Sequence, residues 1–454
     1  MRVIHTFFCL LVSILPFMQG CESYLEEKPD SSMKIPGTLA DLQALLNNEG
    51  SVNQNYPSAG DIASDYYYLA TADYLSRAED ARSIYVWEGQ ADAQRTWLFS
   101  YSCVLYPNLI LDEVDHADAG KMSEEDRRRI KGSALFLRSF LFHQLSVIFA
   151  PQYDPAAADR QPGLVLKLTS DVNEVLKRSS MRETYGRIEA DLLEAVNLLP
   201  ASTAYLTQPS RPAAYAALSR LYLSMKDYER AFNYADSCLA MRPSLVDYNN
   251  LNASAVTPFS IYNAEVLFHA TLSSAESVFS TTWAKADTLL YKSYAPDDLR
   301  RSVFYRKNAD NSYAFKGSYS GTNTAALFGG LATDEMYLVK AECAARSGDI
   351  GLAMTTLNAL LKNRMAKQSF RELTASSANE ALHLILDHRR KELAFRGGIR
   401  WGDLKRLNGE PEFAVTLQRN VDNTLYSLPP DDARYTLLIP YQVIQNNGLE
   451  QNPR

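Results

Sequence analysis

From about residue 127 onward the chain repeats one unit, an amphipathic helix, a tight turn and a second helix, and this period constrains the fold more than any other feature. The clearest copy runs from Ala213 to Pro243, where Tyr215, Leu218, Ser219 and Tyr222 mark one face of the first helix. Lys226-Asp227 makes the turn, Ala231 marks the second helix, and Pro243 closes it. This is the tetratricopeptide plan, in which small residues stand where two helix axes approach closely and a larger side chain would push them apart. A weaker copy spans Tyr337–Arg364, with Ser347-Gly348-Asp349 as the turn and Ala353 in the place of Ala231. Upstream, Arg128–Phe149 carries Ile130, Ala134, Leu137, Leu141, Leu145 and Ile148 at helical spacing and stops at Pro151. The next helix opens on the capping box Ser180-Met181-Arg182-Glu183 and ends at Pro200. The spacing therefore predicts a mostly α fold with tetratricopeptide-type helix pairs over about 128–243 and 333–364.

Two stretches lose this period, about 50–90 and 244–332. The second holds Gly317, Gly321, Gly329 and Gly330 among many Ser, Thr, Asn and Tyr residues, which predicts loops, few short strands and one helix near Trp283–Leu290. Long irregular stretches inside a compact domain usually carry function. Tyrosine is abundant, 27 against 18 Phe and 4 Trp. Its flat apolar face and hydroxyl suit amphipathic ligands such as sugars or peptides, and also serve helical-repeat cores. The last long helix is predicted from about Ala378 to Phe395, with Gly397-Gly398 as its left-handed cap.

The N-terminus reads as an export signal. Arg2 is followed by a mostly apolar run from Val3 to Phe17, then Gly20 and Cys21. The run is too short to span a bilayer comfortably. Its layout resembles a bacterial lipoprotein signal, in which residues 1–20 are removed and the Cys21 thiol takes a diacylglycerol. Ordinary secretion with an incidental cysteine is the alternative. Removing twenty residues from 454 leaves 434, and loss of Arg2 takes the net charge from −7 to −8. That balance, with no basic patch beyond Arg127-Arg128-Arg129, argues against nucleic acid as a partner. Cys103, Cys238 and Cys343 sit in apolar periodic stretches, too widely spaced for a zinc site or a disulfide framework.

No dinucleotide fingerprint, Walker loop, zinc-protease motif or nucleophile elbow occurs. His383 and His388 are five apart and do not share a helix face. Asp115–Asp126 has Gly120 where a calcium loop needs it, but Ala117 and Ala119 replace two ligands. Nothing calls for a cofactor or a metal. A carboxylate pair for glycoside hydrolysis depends on separation in space, so a secreted glycosidase on a helical scaffold stays open as the second reading.

Several separated segments together resemble one family, the SusD/RagB outer-membrane lipoproteins of Bacteroidetes. Cys21 followed by Tyr24-Leu25-Glu26-Glu27-Lys28-Pro29 resembles the family's mature start, and Trp97–Tyr101 with Asn108 and Leu111 its early helix. Arg389-Arg390-Lys391-Glu392-Leu393-Ala394-Phe395 and Arg400–Arg406 resemble its C-terminal signature, within residues 378–454. Leu438-Ile439-Pro440 through Asn452-Pro453 resembles its closing segment. A local departure is Arg396-Gly397-Gly398-Ile399, where the family usually has an acid, Gly and His. The resemblance implies a SusD-like domain over 21–454, with four tetratricopeptide-like pairs packed against a loop-rich half. It implies a SusC-like TonB-dependent transporter as partner, a lipid-anchored surface location, an oligosaccharide or peptide as ligand, and no catalysis. The signature charges Arg389, Arg390, Glu392, Arg400 and Asp403 read as ion pairs holding the terminal helix, since buried charges survive only when paired. Phe395, Trp401 and Leu404 read as its packing face.

The expected ligand site lies on the two irregular stretches. Tyr66, Tyr67, Tyr68, Trp283, Tyr291 and Tyr294 are the predicted platforms for sugar rings, with Asp65, Asp73 and Arg77 bonding hydroxyls. Alternation along Tyr66–Tyr68 sends at least one of the three into the core. Trp87 and Trp97 are assigned to packing.

Overall fold

The computed structural model describes residues 36–275 and 278–454; Cys21 and the whole leader lie outside them. Among the described residues ten helices have eight residues or more. In chain order they are α1 Leu39–Leu46, α2 Gln94–Glu113, α3 Glu124–Phe149, α4 Met181–Leu198 and α5 Arg211–Ser224. Then follow α6 Tyr228–Met241, α7 Thr333–Arg346, α8 Ile350–Leu361, α9 Ala378–Glu392 and α10 Ile399–Asn408. From α2 to α7 each of these helices packs on the next, and α7 also packs on α8 and α9, so the layer grows by nearest-neighbour contacts.

Local chemistry sets the ends. Ser180 and Glu183 form the predicted capping box of α4, and Ser123 with Asp126 forms another that starts α3 at Glu124, earlier than the apolar period alone indicated. Asp227 and Asp349 cap α6 and α8 through the amides of Arg230 and Leu352, so the two predicted turns are built alike. Where α5 meets α6, the Ser219 hydroxyl donates to the carbonyl of Ala231 at 2.9 Å, and both residues are fully buried. α3 is the one helix among the described residues long and apolar enough to cross a membrane, and it is buried in the core. Cys103, Cys238 and Cys343 are free and buried, and burial pushes the first two thiols up to about 11 and about 12.

Two expectations are corrected. α9 ends at Glu392, not Phe395, and Gly398, at φ +76, is the residue before α10, so it starts a helix where it was expected to end one. Gly397 is required for packing, because a Cβ there would stand 2.5 Å from Leu272 Cδ2. The helix expected at Trp283–Leu290 forms later, at Thr288–Ser293, because Lys285-Ala286 is taken into a strand.

Among the described residues the rest folds into loops, short helices and ten short strands in five antiparallel pairs. These are β1 Tyr67–Tyr68, β2 Pro162–Val165, β3 Arg178–Ser180, β4 Val266–Phe268, β5 Lys285–Ala286, β6 Tyr305–Lys307, β7 Tyr313–Phe315, β8 Leu331–Ala332, β9 Leu417–Val421 and β10 Thr424–Leu428. β4 pairs with β8 and so closes the base of the excursion between them, while β1 pairs with β5.

Candidate functional site

The β1–β5 pair brings the two irregular stretches onto one surface. Tyr68 lies opposite Lys285, and Tyr67 opposite Ala286. Alternation then separates the three tyrosines. Tyr67 points inward against Tyr85, Phe279 and Phe395, with its hydroxyl donating to Ile62 O at 2.8 Å. Tyr66 stacks on Phe395 at 5.5 Å. Both are buried and are withdrawn as ligand platforms, whereas Tyr68 stays partly exposed. Trp283 reaches the same surface two residues before Lys285. The Arg77 guanidinium lies 3.7 Å from the centre of its ring, held there by bonds to Asp73 O and Ser76 Oγ. Asp73 is half-buried and raises the Lys285 ammonium together with Tyr68, but the larger effect on that ammonium is its bond to Asp310.

Further along, the β6–β7 hairpin adds a second aromatic pair. Tyr291 and Tyr313 stack with ring centres 3.5 Å apart, and the Arg301 guanidinium sits 5.0 Å from the Tyr291 ring. Burial and the neighbouring Tyr313 hydroxyl push the Tyr291 phenol up. Tyr294 does not belong to this surface. It is buried, and its hydroxyl donates to Lys391 O at 2.8 Å, which fixes α9 against the loop-rich half. Of the predicted residues, the fold thus gathers Tyr68, Asp73, Arg77, Trp283 and Tyr291, and places Tyr66, Tyr67 and Tyr294 in the core. Trp87 and Trp97 are buried, as expected of packing residues.

Beside Tyr68 lies a cleft of roughly 350 Å³, lined by Asp65, Tyr68, Asp287, Thr288, Gln418 and Asn420 among others. Sequence reasoning missed its far wall, the β9–β10 hairpin. The signal was present: Leu417, Arg419 and Val421 alternate inward while Gln418 and Asn420 face solvent. Asp422 and Asn423 both take positive φ in the two-residue turn. The wall offers two side-chain amides beside an aromatic ring, a set that bonds hydroxyls in either direction.

Asp65 was expected to bond a ligand and instead serves the scaffold. Arg400 donates to it at 2.6 and 2.8 Å and Arg390 at 3.1 Å. Burial alone would raise the Asp65 carboxyl, but these guanidiniums overcome it and hold it well below the usual range. The other signature charges are paired in the same way. Arg389 and Arg406 both donate to Asp403 at 2.8 Å, and Arg406 also grips Glu342 of α7. Glu392 receives Arg364 at 2.7 Å and Arg300 at 3.0 Å, all three fully buried. Glu392, Glu265 and Asp334 bring carboxylate oxygens within 4.8 Å of one another. Their charge is answered by Arg300, Arg364 and Arg396, so the cluster is a salt-bridge network. Trp401 closes the packing face, donating from Nε1 to Tyr435 O at 3.0 Å.

Comparison with known proteins places this architecture. A family model described as "Starch-binding associating with outer membrane" matches residues 23–223, and the model described as "SusD family" matches residues 220–454. No curated protein matches the chain. Among solved structures, a SusD superfamily protein from Bacteroides thetaiotaomicron is similar at 21% identity and TM-score 0.73, covering 92% of this chain and 100% of its own. A putative sugar binding protein from Bacteroides vulgatus is similar at 20% identity and TM-score 0.74, covering 92% and 99%. Surface glycan-binding protein A from Bacteroides uniformis is similar at 14% identity and TM-score 0.69, covering 91% and 98%.

Proposed function

Because the chain belongs to the SusD/RagB family, we propose that it binds an oligosaccharide at the cell surface and delivers it to a SusC-like TonB-dependent transporter in the outer membrane. The observation that carries the binding half is the β1–β5 pair, which sets Tyr68 and Trp283 on one surface next to the amide-lined cleft. Sugar rings present C–H faces to aromatic rings, while their hydroxyls suit Gln418, Asn420 and Asp287. The transporter, the outer-membrane location and the lipid on Cys21 come from the family resemblance; the matching model's own description, which names the outer membrane, supports the location. A glycan array probed with the purified protein tests the reading. Retention of at least one oligosaccharide without new reducing ends supports a binding protein. Release of reducing ends supports the glycosidase alternative, and retention of peptides alone assigns a peptide ligand.

A further inference from the structure

Tyr68, Trp283, Tyr291 and Tyr313 form an aromatic shelf, and each of these partly exposed rings has a cation as its neighbour. Arg77 covers Trp283, Arg301 stands over Tyr291, Lys285 lies across the strand pair from Tyr68, and Lys307 lies across the hairpin from Tyr313. Lys285 is neutralised by Asp310. Among the described residues Arg77, Arg301 and Lys307 form no ion pair, and Lys307 is exposed. Asp310 and Asp73 act on Lys285, and Asp287 and Asp65 line the adjoining cleft, where Arg400 and Arg390 answer Asp65; the rings themselves are flanked by cations, on a chain whose net charge is −7. A shelf for neutral sugars needs rings flanked by amides and carboxylates that bond hydroxyls; here the amides and Asp287 belong to the cleft, and the rings themselves have cations.

Building on the carbohydrate-binding reading above, we propose that the shelf selects acidic oligosaccharides, whose rings carry a carboxylate or a sulfate. Sugar rings lie on Tyr68, Trp283 and the Tyr291–Tyr313 pair, and their anionic groups meet Arg77, Arg301 and Lys307. Guanidinium matches both anions, because its planar fork offers two parallel N–H donors. Arg77 is already tied to Asp73 O and Ser76 Oγ, so its orientation is set before a ligand arrives. Stacking of arginine on an aromatic ring also stabilises a fold without any ligand, and the experiment is chosen to separate the two roles.

Binding of the purified protein is measured against matched pairs: oligogalacturonides and their methyl esters for the carboxylate, and carrageenan oligosaccharides and their desulfated forms for the sulfate. Neutral maltooligosaccharides and polyglutamate complete the set. At least one acidic form is expected to bind about tenfold more tightly than its neutral partner, the scale of one charge-assisted hydrogen bond. That advantage is expected to shrink as salt rises from about 50 to about 500 mM. Arg301→Gln and Lys307→Gln are each expected to reduce the acidic form's advantage and together to abolish it, and Lys307→Gln, at an exposed position, is expected to leave the melting temperature unchanged. Trp283-dependent binding with no preference for the acidic form overturns the selectivity and leaves the carbohydrate reading standing. Absence of binding to every saccharide overturns both. Tighter binding of polyglutamate than of any saccharide assigns the cations to an acidic peptide and overturns the proposal.

Discussion

Trp283 and Tyr66 illustrate how far residue identity goes. Both are large aromatics in irregular chain, yet Tyr66 is sealed against Phe395 and Trp283 reaches the surface under Arg77. Trp283→Ala and Tyr68→Ala are each expected to weaken oligosaccharide binding by about 1 kcal/mol beyond the area lost, as aromatic contacts generally do. Tyr66→Phe is expected to leave affinity unchanged, and calorimetric titration of the three variants checks the contrast. Glu392 shows the other kind of residue. It sits between Arg364 and Arg300 with no access to solvent, so Glu392→Gln leaves two buried guanidiniums undercompensated. A loss of about 3–5 kcal/mol is expected, read by denaturant unfolding, because breaking one partner of a buried pair strands the other.

At the scale of elements, the helix pairs were legible and the strands were not. Capping boxes, the Lys226-Asp227 turn and the small residues at Ser219 and Ala231 are local signals that operate within a few turns of helix. Their prediction is direct: Ala231→Leu inserts three heavy atoms where α5 and α6 touch, and is expected to destabilise by about 1–3 kcal/mol. A lowered unfolding midpoint at unchanged denaturant slope checks it. By contrast β1 and β5 are two residues each and lie more than two hundred residues apart in sequence. No periodicity can be read from two residues, so the pairing that assembles the candidate site left no mark that a single sequence reveals. The β9–β10 hairpin is intermediate. Its alternation and Asp422-Asn423 turn were visible in the chain, but its place at the cleft was not.

For the whole molecule, the buried arginine network links stability to pH. Burial raises the Asp403 carboxyl, but Arg389 and Arg406 overcome it and hold it down to about 2; Glu342 and Glu392 are lowered by arginines in the same way. Depressed carboxyls stabilise the fold above their unfolded values near pH 4, and that stability disappears as pH falls through the folded values. The melting temperature is therefore expected to fall steeply between about pH 4 and pH 2, a scan that calorimetry reads directly. Cys21 lies outside the described residues, and its expected role is tested by location: Cys21→Ala is expected to release the protein from membranes, as washing and fractionation would show. Recovery of a large β-barrel transporter from outer membranes under mild detergent is the expected result for the wild-type chain. The sequence by itself determined the helical scaffold, the turns, the signature ion pairs and the family, because periodicity, caps and short charged motifs are encoded by neighbours along the chain. The tertiary structure alone decided which aromatics meet solvent, and it moved Asp65 from the ligand to the scaffold and added Gln418 and Asn420 to the cleft. Those outcomes depend on which distant segments pack together, and burial belongs to the packed assembly of segments, not to a residue's place in the chain.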